Sequence, residues 1–338
     1  MLGAIADKAC NGAALQGVHG VSRMKLGLLL PSWTGAMDGV TPSAAEVVRL
    51  GQLAEAVGFD TVWVADHFYF EPYTDFRVVG VEFPAEYAGV KGGAWECWSL
   101  VTALAWATER VLIGTLVSNT GYRNPALFAR QVDTVDDLAD GRLILGLGAG
   151  DFVTEHRAFG FPFERRVSRF EEALAILLPM LRGATVSFDG EFSAAFDAAL
   201  LPKAARATGP SIMIGTLAGG PRMARLVVEH ANLWNCNIAF GDSSVEAYAA
   251  AWAPIERACI KHGRDPATLD RHATVGVNLI DSDYPVPGAR PLTGSPGAIA
   301  EALQAFAAAG VAHVSVMPHP WTAAGIERFG AVLEALRA

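Results

Sequence analysis

From residue 25 onward, short apolar runs alternate with longer segments in which apolar positions recur at helical spacing. The clearest unit begins at Ser43. Apolar positions up to Val57 follow a helical period, and Gly58 stands where a helix C-cap requires a positive φ angle. The β-branched and aromatic run 61–65 then predicts a short, fully buried strand. This unit therefore predicts a helix followed by a strand of a parallel sheet.

The same alternation continues to the C-terminus. The predicted strands are residues 25–30, 61–65, 111–117, 142–147, 211–214, 233–236, 273–280 and 312–317. The predicted helices are residues 43–57, 96–108, 125–139, 167–181, 221–229, 244–262 and 296–309, followed by a terminal helix. Eight βα units with right-handed crossovers imply an α/β fold, a closed (β/α)8 TIM barrel with insertion segments. A doubly wound open sheet is the alternative.

Some segments lie outside this alternation. Residues 1–23 predict a poorly ordered extension, which leaves residues 24–338 as a single domain. Residues 68–94 are rich in Phe, Tyr, Pro and Gly, and so long a connection is usually functional, so we expect a loop over the active face. A loop is also expected between the strand 142–147 and the helix 167–181. Residues 186–192 predict a small inserted hairpin.

The composition narrows the class of protein. Of 338 residues, 51% are hydrophobic and 18% are charged, which is typical of a globular protein. A formal net charge of −9 without a basic patch argues against nucleic-acid binding. No apolar run reaches the roughly 18–20 residues that cross a bilayer, and the N-terminus lacks signal-peptide features, so no membrane association is expected. Four dispersed cysteines are typical of reduced residues in a cytoplasmic protein.

Chemistry in such a barrel is expected where the strands end at the carboxyl edge. Asp66 and His67 directly follow the second strand, and an imidazole exchanges protons near neutral pH. His67 is therefore a candidate acid or base, although a histidine that only holds a loop fits the sequence equally well. Asn119 follows the third strand. Asp151 follows the fourth strand and is either catalytic or the N-cap of a turn.

The glycine-rich segment 146–151 is similar to a dinucleotide-binding fingerprint but does not match it. Asp151 stands where the last glycine is required, and the segment opens the fourth unit instead of the first. We expect its glycines to let a flat ligand approach the barrel mouth closely.

A second glycine-rich turn is the better candidate for binding an anion. It contains Gly215, Thr216, Gly219 and Gly220 and leads into a helix that begins with Pro221, which aims free N–H groups at a phosphate. A flexible turn without a ligand is the alternative. Neither metal-ligand spacing nor a G-x-S-x-G elbow is present, so a metalloenzyme and a hydrolase are both disfavoured.

Several segments together resemble a known family. They run in that family's order from about residue 25 to the C-terminus: 56–60 with 66–68, 95–96 with 107–111, 114–117 with 122–125, 141–150, 212–215 and 294–296. On these segments the chain resembles the bacterial luciferase-like monooxygenase superfamily, and within it the branch of coenzyme F420-dependent oxidoreductases.

The resemblance implies that a deazaflavin or flavin lies across the mouth of the barrel and exchanges a hydride with a small organic substrate. It implies that Asp66 and His67 lie near the reacting ring, with His67 as the proton donor or acceptor. A non-prolyl cis peptide behind the ring maps near Leu116 and Val117. Asp151 falls where relatives place an active-site carboxylate, which is usually Glu.

The resemblance also implies the remaining contacts of the cofactor. Thr154 and the turn from Gly215 to Pro221 map to its side chain and phosphate, Cys236 falls near the same pocket, and Asn119 is expected in the cofactor site. Relatives carry an aromatic residue that shields the ring, and its counterpart here stays unassigned. Partners implied are a second copy of the chain in a homodimer and a separate reductase or dehydrogenase that supplies the reduced cofactor.

Two other functions remain as alternatives. One is a monooxygenase component that uses reduced FMN and oxygen on the same fold, and the other is a barrel subunit without catalysis. The Asp66–His67 pair is frequent in the F420 branch, whereas many FMN-dependent relatives carry Glu-His or other pairs there. The pair therefore favours coenzyme F420 over FMN.

Overall fold

The computed structural model describes residues 23–216 and 220–338. Within these residues, eight parallel strands whose order follows the chain form a sheet, which also includes the two-residue strand Ser118–Asn119. They are β1 (Lys25–Leu29), β2 (Thr61–Val64), β3 (Leu112–Thr115), β4 (Leu143–Gly148), β5 (Ser211–Gly215), β6 (Leu233–Asn237), β7 (Asp270–Asn278) and β8 (His313–His319). The pairing of β8 with β1 and of β4 with β5 closes the ring. The predicted barrel is therefore confirmed.

Helices surround the barrel and alternate with its strands. They are α1 (Ala44–Val57), α2 (Cys97–Ala107), α3 (Pro125–Leu138), α4 (Arg166–Leu181), α5 (Pro221–His230), α6 (Val245–Lys261), α7 (Pro296–Ala308) and α8 (Ala323–Arg337). The sequence signals explain their ends. The Ser43 side chain accepts a hydrogen bond from the N–H of Glu46, and Gly58 adopts a φ angle of +106° at the C-cap of α1.

The connections differ from the prediction in two places. A short helix, Val153–Phe159, lies between β4 and α4, where a loop was expected. The inserted hairpin pairs Val186–Asp189 with Ala194–Ala198, so it extends further than residues 186–192. Both elements are short, and such elements depend on neighbours more than on their own pattern.

The inside of the barrel below the mouth is filled by a large side chain. Trp63 is fully buried there. A Cβ atom at Gly114 would lie 2.1 Å from the Trp63 ring, and one at Gly27 would lie 2.4 Å from its Nε1. Glycines on the two neighbouring strands thus make room for the indole. The interior is therefore closed by side chains, and the open space of the barrel lies at the carboxyl ends of the strands.

The predicted N-terminal extension falls almost entirely on residues 1–22, which lie outside the described residues. In the part of the chain that the structure describes, none of the helices is both long and apolar enough to cross a membrane.

Candidate active site

A cavity of about 1070 Å³ opens at the carboxyl ends of the barrel strands. Most of the predicted site residues line it together: Asp66, His67, Leu116, Val117, Asn119, Asp151, Gly215, Thr216 and Gly220. The peptide between Leu116 and Val117 is cis, as the resemblance implies. Since these residues follow four different strands, the barrel itself brings them to one place.

His67 is held by an acid from the short helix Val153–Phe159. Its Nδ1 lies 2.8 Å from Glu155 Oε1. The other carboxylate oxygen of Glu155 accepts hydrogen bonds from the N–H groups of Phe68 and Tyr69 at 2.9 and 3.4 Å. The ring of Phe152 stacks on the imidazole with 4.4 Å between the centroids. Because Glu155 takes Nδ1, the nitrogen left to face the cavity is Nε2.

Three carboxylates set the protonation of this imidazole. Burial lowers the pKa of His67, but the charge and hydrogen bond of Glu155, with the charges of Asp151 and Asp66, outweigh burial and raise the pKa to about 9. Burial raises the pKa of Glu155, and the charge and hydrogen bond of His67 more than offset this, so the pKa lies below its usual value. Near neutral pH, His67 is therefore an imidazolium that can give a proton from Nε2.

Asp151 is the second carboxylate at this imidazole. Its side chain lines the cavity, and burial raises its pKa, which the positive charge of His67 only partly offsets. A carboxyl group with a raised pKa holds a proton more readily than an exposed aspartate does. Asp151 thus fits the predicted active-site carboxylate by position.

Asp66 has a different partner from its neighbour His67. Arg123 Nη1 and Nη2 donate to the two carboxylate oxygens of Asp66 at 2.5 and 2.8 Å, and the N–H of Asn119 donates to the first at 2.9 Å. Arg123 also reaches Glu96, the N-cap of α2. Both oxygens of Asp66 are thus held by charge-assisted or backbone hydrogen bonds, which is the geometry of a positioning group. Its carboxylate orders the end of β3 and adds negative charge beside His67.

Sequence reasoning missed Glu155 and Arg123. The i, i+4 spacing of Asp151 and Glu155 after a strand end is a signal that could have indicated Glu155. The donor atoms of His67, Asp151 and Glu155 lie within 4.8 Å of one another, so a divalent cation could also bridge them. The hydrogen bond at Nδ1 favours proton exchange instead, and unchanged activity after EDTA treatment tests that interpretation.

The glycines of β4 and its loop serve the packing of the protein. A Cβ atom at Gly146 would lie 1.9 Å from the carbonyl oxygen of Thr115. Gly150 has a φ angle of +83°, and a Cβ atom there would lie 2.3 Å from Asn119 Nδ2. Protein atoms fill the space beside Gly146, so that glycine does not leave room for a ligand. Gly148 and Gly150 line the cavity, so close approach of a flat ligand there stays a prediction.

The predicted anion site lies at the start of α5. Thr216 and Gly220 line the cavity, and Pro221 occupies the first helical position. Gly219 lies outside the described residues. The first N–H groups of a helix have no acceptor within the helix, and they carry the positive end of its dipole. The turn therefore has the chemistry that holds a phosphate.

A basic residue of the preceding helix also lines this cavity, and its guanidinium lies over the ring of Phe163, 4.7 Å from the ring centroid. Arg166 begins α4 and lines the same cavity. The starts of α4 and α5 adjoin, because Arg222 of α5 donates hydrogen bonds to Ser168 and Glu171 of α4, both at 2.9 Å. We call Arg166 and the helix start at Gly220 the anion corner. Sequence reasoning missed Arg166, since the approach of α4 to α5 is a tertiary contact.

Cys236 does not contact the cavity. It lies between Asn235 and Asn237 on β6, and both asparagines line the cavity. Successive side chains of a strand point to opposite faces, so Cys236 points to the helices, where it is buried in the core. The expectation that Cys236 contacts the cofactor is therefore wrong. Burial also raises the pKa of its thiol to about 12, which keeps the thiol neutral.

The side chain of Thr154 does not line the cavity either. Its hydroxyl group donates to the carboxylate of Asp75, which belongs to the segment 68–94. The expected contact between Thr154 and the cofactor is therefore replaced by a contact within the protein. Together with the bond from the N–H of Phe68 to Glu155, it ties this segment to the helix that holds His67.

Residues 68–94 form a lid over the cavity, as expected. Tyr69–Phe70 pairs with Gly92–Gly93 at its base. Apolar side chains of the lid line the cavity: Phe70, Pro72, Phe76, Val78, Val79, Phe83 and Tyr87. The ring of Phe76 contacts that of Phe152 with centroids 5.4 Å apart. Since Phe152 stacks on His67, the aromatic side chains of the lid extend to the imidazole of His67.

Comparisons with known proteins agree with this architecture. A family model described as luciferase-like monooxygenase matches residues 24–283. The chain is 33% identical over 178 residues to 5,10-methylenetetrahydromethanopterin reductase of Archaeoglobus fulgidus, covering 53% of this chain and 45% of that one. It is 30% identical over 247 residues to F420-dependent glucose-6-phosphate dehydrogenase 1 of Rhodococcus jostii, covering 70% and 66%. The matched regions thus span about half to two thirds of these relatives.

Solved structures share the fold at lower identity. An F420-dependent secondary alcohol dehydrogenase in complex with an F420-acetone adduct superposes with a TM-score of 0.73 at 17% identity, covering 94% of this chain and 100% of that one. Riboflavin lyase with modified FMN and riboflavin gives 0.74 at 14% identity, covering 94% and 92%. With the closed barrel and the match over residues 24–283, these comparisons show that the chain belongs to the luciferase-like monooxygenase family.

Proposed function

We propose that this protein is an oxidoreductase that exchanges a hydride between coenzyme F420 and a small organic substrate at the mouth of the barrel. The observation that carries the proposal is the contact of His67 Nδ1 with Glu155 Oε1 at 2.8 Å, which leaves Nε2 of the imidazole to exchange a proton beside the cavity. The similarity to F420-dependent enzymes supports the choice of cofactor.

The residues of the cavity fit such a cofactor. A volume of about 1070 Å³ lies at the upper end of the range for a single ligand, so a cofactor and a substrate can share it. The anion corner would hold a phosphate, and the wall formed by Leu116, Val117 and Asn119 lies at the same mouth as His67. When bound, the deazaflavin would supply or accept the hydride.

The side chains of this protein would move the proton and exclude water. In the reducing direction, His67 gives the proton of Nε2 to the substrate oxygen, and in the oxidising direction neutral His67 takes it back. Glu155 stabilises the charged imidazole and fixes the ring, which lowers the cost of orienting the donor. The apolar lid covers the same space and would keep water from the reacting atoms.

The alternative is a monooxygenase component that receives reduced FMN. Titration of the purified protein with F420 and with FMN separates the two, followed by tryptophan fluorescence, because Trp33 and Trp321 line the cavity. We expect F420 to quench the emission at roughly micromolar concentration. Micromolar binding of FMN without binding of F420 would overturn the proposal. A separate enzyme that reduces the cofactor, and a homodimer, remain parts of the proposal.

Variants at the anion corner test whether it holds the phosphate of F420. Gly220 has an ordinary φ angle of −60°, and a Cβ atom there would meet nothing within 4 Å. Asp and Ser are both good N-cap residues, so Gly220→Asp and Gly220→Ser should fold equally well. We expect Gly220→Asp to weaken F420 binding about tenfold or more by charge repulsion, and Gly220→Ser to change it little. Unchanged affinity in both variants would place the phosphate elsewhere.

A further inference from the structure

The cavity is lined by two kinds of surface with opposite chemistry. The anion corner is positive and polar. The lid presents rings and aliphatic side chains, which pack around Phe76: its ring lies 5.4 Å from that of Phe83 and 5.6 Å from that of Phe240, measured between centroids. A ligand that occupies the whole cavity therefore needs a charged part and an apolar part.

The two basic residues of the lid, Arg77 and Lys91, do not line the cavity. The guanidinium of Arg77 lies over the ring of Tyr73, 4.5 Å from its centroid, and the ammonium of Lys91 lies over the ring of Tyr69 at 5.8 Å. Among the described residues that line the cavity, Arg166 is the one Lys or Arg side chain, and it belongs to the anion corner. A second anion on the lid side would therefore lack a lysine or arginine partner.

The carboxylates around the imidazole also disfavour an anionic ligand. Asp151 and Glu155 line the cavity with His67, and Glu155 already neutralises the imidazolium. An anionic group that approaches Nε2 would meet these acids across a region of low dielectric constant, which strengthens their repulsion. An uncharged group with one polar oxygen avoids that cost and can accept the proton.

We propose that the substrate side of this cavity selects an uncharged, apolar molecule with a single carbonyl or hydroxyl oxygen, such as an aromatic ketone or its alcohol, and rejects phosphorylated or carboxylated compounds. This inference rests on the proposed function for the role of His67, while the selection by charge can be measured by binding alone. The apolar body lies against the lid rings, and the oxygen faces Nε2 of His67.

Calorimetric titration with matched ligands tests this selection. The probes are 2-acetonaphthone, which is neutral, 2-naphthoate, which has the same rings and a carboxylate, and glucose 6-phosphate. The buffer contains inorganic phosphate to fill the anion corner, and each titration is run with and without F420. We expect the ketone to bind about tenfold or more tightly than 2-naphthoate, and glucose 6-phosphate to bind more weakly still. Equal or tighter binding of either anion would overturn the inference.

Two variants locate the ketone. Phe83 is half-buried and lines the cavity, whereas Phe196 is exposed on the inserted hairpin and does not line it. We expect Phe83→Ser to weaken binding of 2-acetonaphthone about tenfold, as loss of one ring contact implies, and Phe196→Ser to leave it unchanged. An unchanged affinity in Phe83→Ser would overturn the inference, because the ketone would then bind away from the lid.

The two proposals can fail separately. If F420 does not bind but the ketone is still preferred and Phe83→Ser weakens it, the proposed cofactor is wrong and the selection by the lid stands. If F420 binds but the anionic probes bind as well as the ketone, the proposed function stands and the selection by the lid is wrong.

Discussion

Histidines lie in two regions of the barrel, and their pKa values are shifted in opposite directions there. At the mouth, three carboxylates raise the pKa of His67 to about 9. In the interior, His272 and His313 lie beside Trp63, with 4.8 and 5.3 Å between ring centroids. Burial lowers the pKa of His272 to about 3, and burial, with smaller contributions from the neighbouring His272 and Lys25, keeps the pKa of His313 well below its usual value.

The difference shows that carboxylate neighbours, more than residue type or burial, decide which histidine can exchange a proton. His272 accepts a hydrogen bond from Asn235 at 2.6 Å, and a neutral amide does not stabilise an imidazolium as a carboxylate does. The interior histidines therefore stay neutral and fill the barrel. His67 is charged near neutral pH because Glu155 pairs with it.

The largest effect is expected from removal of the mouth histidine. His67→Ala should lower turnover by about 10²–10⁴-fold, the usual contribution of a general acid or base, with little change in affinity for F420. His313→Gln is the matched interior variant and should retain turnover within about threefold, provided that a thermal melt shows a folded protein. Similar losses of turnover in the two folded variants would contradict the contrast between the regions.

The next effect concerns stability. Arg123→Met leaves the carboxylate of Asp66 buried without its partner, so the free energy of unfolding should fall by about 3–5 kcal/mol. The exposed pair of Arg23 and Asp60 is the control, and Arg23→Met should cost about 1 kcal/mol or less. Urea unfolding measures both. Equal costs would show that the Asp66–Arg123 pair is not effectively buried.

A smaller effect is a shift of the pH dependence. Glu155→Gln removes the main charge that raises the pKa of His67, so the alkaline limit of reductive turnover should move down by about 1–3 pH units. The pair stabilises the wild-type fold fully below the ordinary pKa of 6.5, and this contribution is lost as pH rises through about 9. A pH–rate profile of both proteins checks this, and coincident alkaline limits would contradict it.

The smallest effect is expected at Cys236. Because its side chain points to the helices, Cys236→Ala should leave the affinity for F420 unchanged within about twofold and lower the free energy of unfolding by about 0.5–3 kcal/mol. Fluorescence titration measures the first quantity and urea unfolding the second. A large loss of affinity at unchanged stability would place Cys236 in the cofactor site.

The sequence predicts the part of this molecule that depends on local pattern. The strand 61–64 and the acid and imidazole after it follow from one apolar run and its end, so His67 was found. The sequence prediction placed Cys236 in the cofactor site. The alternation of side chains along β6 puts Cys236 on the face opposite to Asn235 and Asn237, which line the cavity. For each predicted site residue in a strand, the two-residue alternation of side chains decides whether it faces the site.

The missed residues depend on contacts between distant segments. Arg123 meets Asp66 across 57 residues, and Glu155 meets His67 across 88 residues. No local pattern specifies which charges will pair, because the barrel decides which strand ends become neighbours. The type of chemistry at His67, with Asp66 and Asp151 near it, was therefore predictable, while the pairing of His67 with Glu155 was not.

The central claim is that Glu155 keeps the mouth histidine protonated. NMR of ¹³C-labelled histidine, from about pH 5 to about pH 10, measures each imidazole in the folded protein, with His67→Ala and Glu155→Gln for assignment and control. The predicted result is a midpoint near pH 9 for His67, displaced to lower pH in Glu155→Gln, while His272 and His313 stay neutral. A midpoint for His67 at or below 6.5 in the wild-type protein would contradict the account.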